Sequence, residues 1–144
     1  MQHDRQRILV VDDDPICRSI LDAVFDMYGF DVTTTDSVLG ASELIVRFRP
    51  DVILLDLALP YRSGASWLTQ LKADPQTSHI PVVILSALPD VLPHERRSLA
   101  HAVVRKPFRT RPLVETVRAA CTDVAFLSRE VRIDPASSQP LGSP

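Results

Sequence analysis

The sequence predicts an α/β protein with five parallel strands and helices on both faces of the sheet. Short aliphatic runs alternate five times with segments whose apolar residues recur at helical spacing. The aliphatic runs lack regular polar residues, which is typical of strands buried on both faces. The connections between segments are short. These observations indicate a sheet wrapped by helices, and such folds bind ligands at the carboxyl ends of their strands.

The predicted strands are β-branched or aliphatic runs, at 8–11, 31–35, 52–55, 80–85 and 103–104. The third strand is followed directly by Asp56, and Pro60 marks the turn beyond it.

Helices are predicted at 15–28, 38–48, 64–73, 93–100 and from residue 110 onward. Asp14 can cap the first helix, and Asp36 or Ser37 can cap the second. The inward face of the first helix is predicted to be Cys17, Ile20, Leu21, Val24 and Tyr28. Pro89 and Pro93 confine the fourth helix, which has little apolar surface.

The length of 144 residues, with 45% hydrophobic and 24% charged residues, fits one domain with short extensions. We predict a flexible arm at 1–6, the domain at 7–123, and an extension at 124–144. The extension begins with apolar residues that predict helical or packed structure, and it ends in a Pro/Ser-rich disordered tail. Its apolar part exceeds what one small domain needs, so a homodimer is predicted.

The formal net charge of −2 argues against direct nucleic-acid binding through a strongly basic surface. No apolar run approaches the roughly 18 to 20 residues that span a bilayer, and the polar start does not fit a signal peptide. We therefore expect a cytoplasmic protein without a membrane partner.

Cys17 and Cys121 fall on apolar helix faces and are interpreted as reduced core residues. Trp67 and Phe108 are interpreted as packing residues.

Polar side chains follow four of the five strands: Asp12, Asp13, Asp56, Ser86 and Lys106. Three carboxylates in one crevice repel one another unless a cation neutralises them. Magnesium, or manganese in its place, prefers oxygen ligands and commonly joins carboxylates to a phosphate. Asp13 and Asp56 fit as ligands, and Asp12 could act through a bound water. Asp56 could then attack phosphorus, with Lys106 and Ser86 contacting phosphoryl oxygens.

Each of these features has a simpler reading when taken alone. The acidic run Asp12–Asp14 could be only a helix-capping loop, and Asp56 only a turn residue. A dinucleotide-binding turn is excluded because the first turn has three negative charges and no glycine. The joint occurrence of the strand-end residues is what favours a phosphoryl-transfer site.

Four motifs in order resemble one known family: Ile-Leu-Val-Val-Asp-Asp-Asp-Pro at 8–15, Asp-Val-Ile-Leu-Leu-Asp-Leu-Ala-Leu-Pro at 51–60, Val-Ile-Leu-Ser-Ala at 83–87, and Arg-Lys-Pro-Phe at 105–108. Over about residues 7–122 the chain resembles the receiver domain of two-component response regulators. The resemblance implies a flavodoxin-like, doubly wound (βα)5 fold with strand order 2-1-3-4-5.

The resemblance also implies a role for each site residue. Asp56 would be the phosphoacceptor, Asp13 a direct metal ligand beside Asp12, and the backbone carbonyl of Ala58 a further ligand. Ser86 would be the switch hydroxyl. Lys106 would be the family's lysine, with a cis bond to Pro107.

By the same resemblance, the protein would accept a phosphoryl group from a histidine kinase or histidine phosphotransferase. It would not be an enzyme beyond assisting its own phosphorylation and dephosphorylation. We expect a single-domain regulator that acts by protein–protein contact and dimerises through the fourth helix, fifth strand and fifth helix or through the extension. Two alternatives stay open: a phosphorylation-independent module, because Val103 replaces the family's switch aromatic, or the receiver portion of a longer regulator.

Overall fold

The computed structural model of the protein describes residues 5–58, 64–88 and 92–122. Five parallel strands form one sheet in the order β2-β1-β3-β4-β5, which confirms the predicted fold class and strand order. The elements are β1 Arg7–Val11, α1 Pro15–Met27, β2 Asp31–Thr35, α2 Val38–Phe48, β3 Val52–Asp56, α3 Gly64–Ala73, β4 Val82–Ser86, α4 His94–Arg97, β5 Ala102–Arg105, and α5, described over 110–122.

The sheet separates two apolar cores. Ile8 and Val10 of β1 pack with α1 and α5, whereas Leu9 and Val11 pack on the opposite face with α2 and α3. Successive strand residues point to opposite faces, so a strand covered on both sides needs apolar residues at every position. Every residue of β3 and β4 is buried, which explains why the first four residues of each strand are aliphatic.

The helix ends follow local capping signals. The side chain of Asp14 accepts a hydrogen bond from the Ile16 N–H at 3.0 Å, and Pro15 occupies the first turn of α1. Ser37 caps α2, since its hydroxyl oxygen accepts from the Gly40 N–H at 3.1 Å. Gly29 follows α1 with φ 93°, a conformation that favours glycine.

One inward position of α1 was predicted wrongly. Ile20 is 48% exposed, while Phe25 is fully buried and packs edge-on against Phe30. The inward stripe is centred on Leu21 and Phe25, and Ile20 lies about 100° away from Leu21 around the helix axis.

The fourth helix was predicted too long. It covers only His94–Arg97, and the next N–H groups bond three residues back, Leu99 to Arg96 and Ala100 to Arg97. The chain then joins the sheet, because the His101 N–H donates to the Val82 carbonyl at 2.8 Å. β4 begins at Val82 instead of residue 80.

The predicted packing residues have apolar surroundings. Trp67 is 3% exposed in the α2–α3 core, and Phe108 packs against the α1–α5 core. Cys17 and Cys121 are both free thiols. No helix in the described ranges has the length and apolar character needed to cross a membrane. The predicted arm before residue 5 and the extension at 124–144 lie outside the described residues.

Arg49 ends α2 in the left-handed region, with φ 55° and ψ 65°. A residue with a Cβ is strained there, so Arg49→Gly should raise the free energy of unfolding by about 1 kcal/mol. The matched control is Arg47→Gly, inside the same helix, which should lower the free energy of unfolding by roughly 0.5 to 1 kcal/mol. Urea unfolding of both variants is the measurement, and loss of stability in Arg49→Gly would contradict the strain.

Candidate functional site

The carboxyl edge of the sheet brings together the polar residues predicted from the strand ends. Asp56 and Ser86 are the last residues of β3 and β4, while Asp12 and Lys106 directly follow β1 and β5. The strands that carry them are consecutive neighbours in the sheet, and their carboxyl ends are in register. Asp12, Asp56 and Ser86 are buried, with exposures of 1%, 6% and 7%. Buried polar groups require partners, and each of these has one.

Lys106 bridges the two buried carboxylates. Its Nζ lies 3.2 Å from Asp12 Oδ2 and 3.4 Å from Asp56 Oδ2. The Lys106 N–H donates to the Ser86 carbonyl at 2.9 Å, and the Lys106–Pro107 bond is cis, as the resemblance implied. Burial lowers the pKa of Lys106, but Asp56 and Asp12 raise it more, so its pKa lies above the ordinary value. The ammonium is therefore a fixed positive charge between the two acids.

Asp12 is held in its ionised form. Burial raises its pKa, but hydrogen bonds from the Asp14 N–H, the Cys17 thiol and Lys106, together with the Lys106 charge, leave the pKa below its ordinary value. The Asp14 N–H lies 2.9 Å from Asp12 Oδ1. Arg18 fixes the backbone of the same residue, since its guanidinium donates to the Asp12 carbonyl oxygen at 2.8 Å.

The pKa of Asp56 is shifted in the opposite direction. Burial raises its pKa most, and the Asp12 charge adds to this effect. The Ala58 N–H, 3.1 Å from Asp56 Oδ1, and the Lys106 charge lower it, but the pKa stays above its ordinary value. Asp56 is therefore the more basic of the two buried carboxylates.

Gly64 lets the start of α3 approach the backbone of Asp56 and Leu57 closely. A Cβ at Gly64 would lie 2.7 Å from the Asp56 carbonyl oxygen and 3.1 Å from the Leu57 Cα. Both are backbone atoms, which cannot turn aside as a flexible side chain can. Only glycine permits this approach, and it fixes the backbone that carries the buried acid.

Three carboxylates are close enough to share a metal ion. One oxygen each from Asp12, Asp13 and Asp56 lies within 4.8 Å of the others, and Asp13 is exposed to solvent. An all-oxygen donor set open to water fits a hard divalent cation such as Mg²⁺. Ala58 is placed beside Asp56 by its N–H, and the ligand role of its carbonyl stays a prediction.

Ser86 ends β4, the strand next to β3 in the sheet, and its hydroxyl is buried. Its Oγ accepts the Leu88 N–H at 3.1 Å. This bond leaves the hydroxyl proton without an acceptor among the described residues, so the group can donate to an incoming oxygen.

The chain belongs to the response regulator receiver domain family, whose model matches residues 8–118. Domains of this family interact with histidine kinases and bind Mg²⁺ at an acidic pocket. The geometry of the carboxyl edge fits this class of signalling domain, which is not an enzyme class in the usual sense.

Two curated relatives carry the same domain within longer chains. The chain is 42% identical over 119 residues to the DNA-binding response regulator MtrA of Mycolicibacterium smegmatis, covering 80% of this chain and 50% of that protein. It is 34% identical over 115 residues to the DNA-binding dual master transcriptional regulator RpaA of Synechocystis, covering 78% and 48%. The chain thus spans about half the length of these relatives.

Solved structures share the fold. A sensor protein from Polaromonas sp. JS666 superposes with a TM-score of 0.78 at 27% identity, covering 84% of this chain and 99% of that chain. The response regulator TrrA of Thermotoga maritima, in complex with Mg²⁺ and BeF, gives a TM-score of 0.73 at 24% identity, covering 80% and 98%.

Three supporting residues were missed by the sequence reasoning. Cys17 was assigned to the core, yet its thiol also donates a hydrogen bond to the Asp12 carboxylate. Arg18 and Gly64 were given no role at the site. The only available signal was position, because Cys17 and Arg18 lie in the first turns of the helix after the acidic run, and Gly64 begins the helix after Asp56.

The raised pKa of Asp56 predicts that its charge destabilises the metal-free fold. Asp56→Asn should raise the free energy of unfolding at pH 7 by roughly 0.5 to 2 kcal/mol, the usual range for a stabilising substitution. A carboxyl group whose pKa is raised in the folded state does not destabilise the fold well below its ordinary pKa of 3.8, and it destabilises the fold most at pH values above the raised pKa. The advantage of Asp56→Asn should therefore grow as the pH rises through that window.

Urea unfolding in buffer with a chelator measures this difference. Asp22→Asn, which removes an exposed acid of α1, is the matched control and should stay within about 0.5 kcal/mol of the parent. If Asp56→Asn were less stable than the parent under these conditions, the Asp56 charge would not destabilise the fold.

Proposed function

We propose that this chain is a phosphoacceptor of a two-component system or phosphorelay, phosphorylated on Asp56. The observation that carries the proposal is the Asp56 carboxylate at the end of β3, 6% exposed and 3.4 Å from Lys106 Nζ, beside two further acids. Its raised pKa makes it a better nucleophile than Asp12, because nucleophilic strength rises with basicity. Family membership agrees with this assignment.

The phosphodonor would be a phosphohistidine of a histidine kinase or histidine phosphotransferase. An Asp56 carboxylate oxygen forms the new P–O bond as the P–N bond to histidine breaks, and the histidine nitrogen leaves with the electron pair. Lys106 would pair with one phosphoryl oxygen, and the Ser86 hydroxyl would donate to another. This proposal is supported by Lys106 Nζ, which lies 3.4 Å from Asp56 Oδ2, and by Ser86, which ends the neighbouring strand.

The site residues also fit a divalent cation. Asp13 and Asp56 would hold Mg²⁺ or Mn²⁺ with the Ala58 carbonyl, and Asp12 would contact it through a water. The bound cation would neutralise the charge of the carboxylates and the phosphoryl oxygens. Lys106 supplies part of this neutralisation from within the chain, since it lies between Asp12 and Asp56.

We predict phosphorylation by a small phosphodonor. Incubation with acetyl phosphate and Mg²⁺ should add the mass of one phosphoryl group, read by intact-mass spectrometry, and Asp56→Asn should show no gain. Mg²⁺ alone should also stabilise the parent protein, by about 2.7 kcal/mol at a hundredfold excess over its dissociation constant.

Asp22→Asn is the control variant and should be phosphorylated like the parent. The absence of a mass gain in the parent, or a gain that persists in Asp56→Asn, would refute the proposal.

A second candidate is an interaction module that works without phosphorylation. The half-buried Val103 and the four-residue α4 favour it, since the family's aromatic switch cannot operate through valine. A third candidate is the receiver portion of a longer regulator, because the relatives are about twice as long and are named as DNA-binding.

The proposal that this chain has no direct nucleic-acid contact rests on its net charge of −2. We also propose a cytoplasmic location.

The oligomeric state separates the first two candidates. We propose a homodimer through the extension at 124–144 or through the surface of α4, β5 and α5, and expect phosphorylation to shift its monomer–dimer equilibrium. Light scattering of the full chain before and after acetyl phosphate is the measurement, with a variant ending at Thr122 as the comparison. A monomer from that variant assigns the contact to the extension, whereas an equilibrium unmoved by phosphorylation favours the second candidate.

A further inference from the structure

Two adjoining cavities lie on the α2–α3 side of the protein, away from the acidic crevice. One, of about 580 Å³, is formed between α2 and α3, and the other, of about 440 Å³, lies at the amino edge of the sheet. Ile45, Arg49 and Gln76 line both, so the two cavities form one continuous depression, called here the α2–α3 groove. Its combined size suits a short peptide segment.

The α2 side of the groove is apolar and open. Val46 lines the larger cavity and is 76% exposed, and Trp67 and Leu71 line the same cavity. Leu39 lies seven residues before Val46, on the same side of α2, and is 73% exposed. Two large apolar side chains on one helix face, next to a cavity, form a surface that an apolar side chain can cover.

The charges in the groove are unevenly satisfied. The carboxylates of Asp51 and Asp74 accept backbone N–H groups, from Arg7 at 2.8 Å and from Gln76 at 2.9 Å. The guanidinium groups of Arg7 and Arg49 have no hydrogen bond or ion pair with any other described residue, although both line the cavity at the amino edge. Within the described part of the chain, the groove therefore offers two guanidinium groups without a partner, while its two acids keep their charge but each already accepts a backbone N–H.

Arg49 occupies a position that local energetics would give to glycine. It has φ 55° at the end of α2, and its N–H donates to the Ile45 carbonyl at 3.1 Å, a bond that glycine makes equally well. The left-handed conformation belongs to the helix cap, and glycine would form the same cap without strain, so the cap does not require the arginine side chain. A strained residue is a reason to look for a function of its side chain, and this guanidinium lines both cavities.

We propose that the α2–α3 groove docks an acidic, apolar segment of a partner protein. A carboxylate of the segment would form a bidentate pair with Arg49, as guanidinium groups prefer, and a neighbouring apolar side chain would cover Val46 beside Trp67. Charge complementarity at Arg49 selects this occupant, since its guanidinium lines both cavities and has no partner among the described residues. The groove and the acidic crevice lie at opposite ends of five-residue strands, about 16 Å apart, so this inference does not rest on the proposed phosphorylation.

The single tryptophan of the chain reports on the groove directly, because Trp67 lines it. The probes are two pools of short, end-blocked peptides, one built from Asp, Glu, Leu and Phe and the other from Lys, Arg, Leu and Phe. The acidic pool should change the Trp67 fluorescence of the full chain saturably, and the basic pool should not. Arg49→Gly should weaken binding about tenfold or more. Urea unfolding of the same variant, which should be at least as stable as the parent, separates lost binding from lost folding.

Arg47→Ala is the matched control, because it removes an exposed cation of α2 that lines neither cavity, and it should bind like the parent. Equal binding of both pools, or no loss in Arg49→Gly, would overturn the proposal. So would a Trp67 change that depends on protein concentration alone with a doubled mass in light scattering, since the occupant would then be a second copy of this chain.

Discussion

The bridge from the Lys106 ammonium to the carboxylates of Asp12 and Asp56 is the interaction on which the carboxyl edge depends. Two buried acids side by side are costly, and without a cation at least one would be neutralised. Lys106 comes from a position 94 residues after Asp12, so the bridge exists only when β1, β3 and β5 end at one edge. The strand order is thus a requirement of the site as well as of the core.

Lys106 contacts both acids, but the pKa values of Asp12 and Asp56 shift in opposite directions. Asp12 receives further hydrogen bonds from the Asp14 N–H and the Cys17 thiol, and its pKa falls, whereas Asp56 receives one backbone N–H and its pKa rises. This difference suits the two acids to different tasks in the proposed phosphorylation. Asp12 stays an anion that attracts cations, and Asp56 keeps the more basic lone pair. A site with two equivalent carboxylates would have no preferred nucleophile.

Sequence predicted most of this arrangement, and physical reasons set the limits. The polar residues at the strand ends could be grouped in advance because parallel strands end at one edge, so Asp56, Ser86 and Lys106 were placed together without coordinates. The inward face of α1 was partly misassigned because apolar character alone does not mark the buried side of this helix: the predicted stripe included the exposed Ile20 and left out the buried Phe25. The contact of Gly64 with Asp56 depends on how α3 approaches β3, and no local pattern records that distance.

The two edges of the sheet are built on opposite principles. At the carboxyl edge the buried charges of Asp12 and Asp56 are paired with the half-buried Lys106, so the site is formed before any ligand arrives. At the amino edge the guanidinium groups of Arg7 and Arg49 are exposed and have no partner among the described residues, so their interaction energy remains available to another molecule. Strands β3 and β4 join the edges as fully buried segments, and a close-packed interior of this kind has low compressibility. Coupling between the edges would require an element with two arrangements, and a short helix such as α4 is better suited to that role than the sheet.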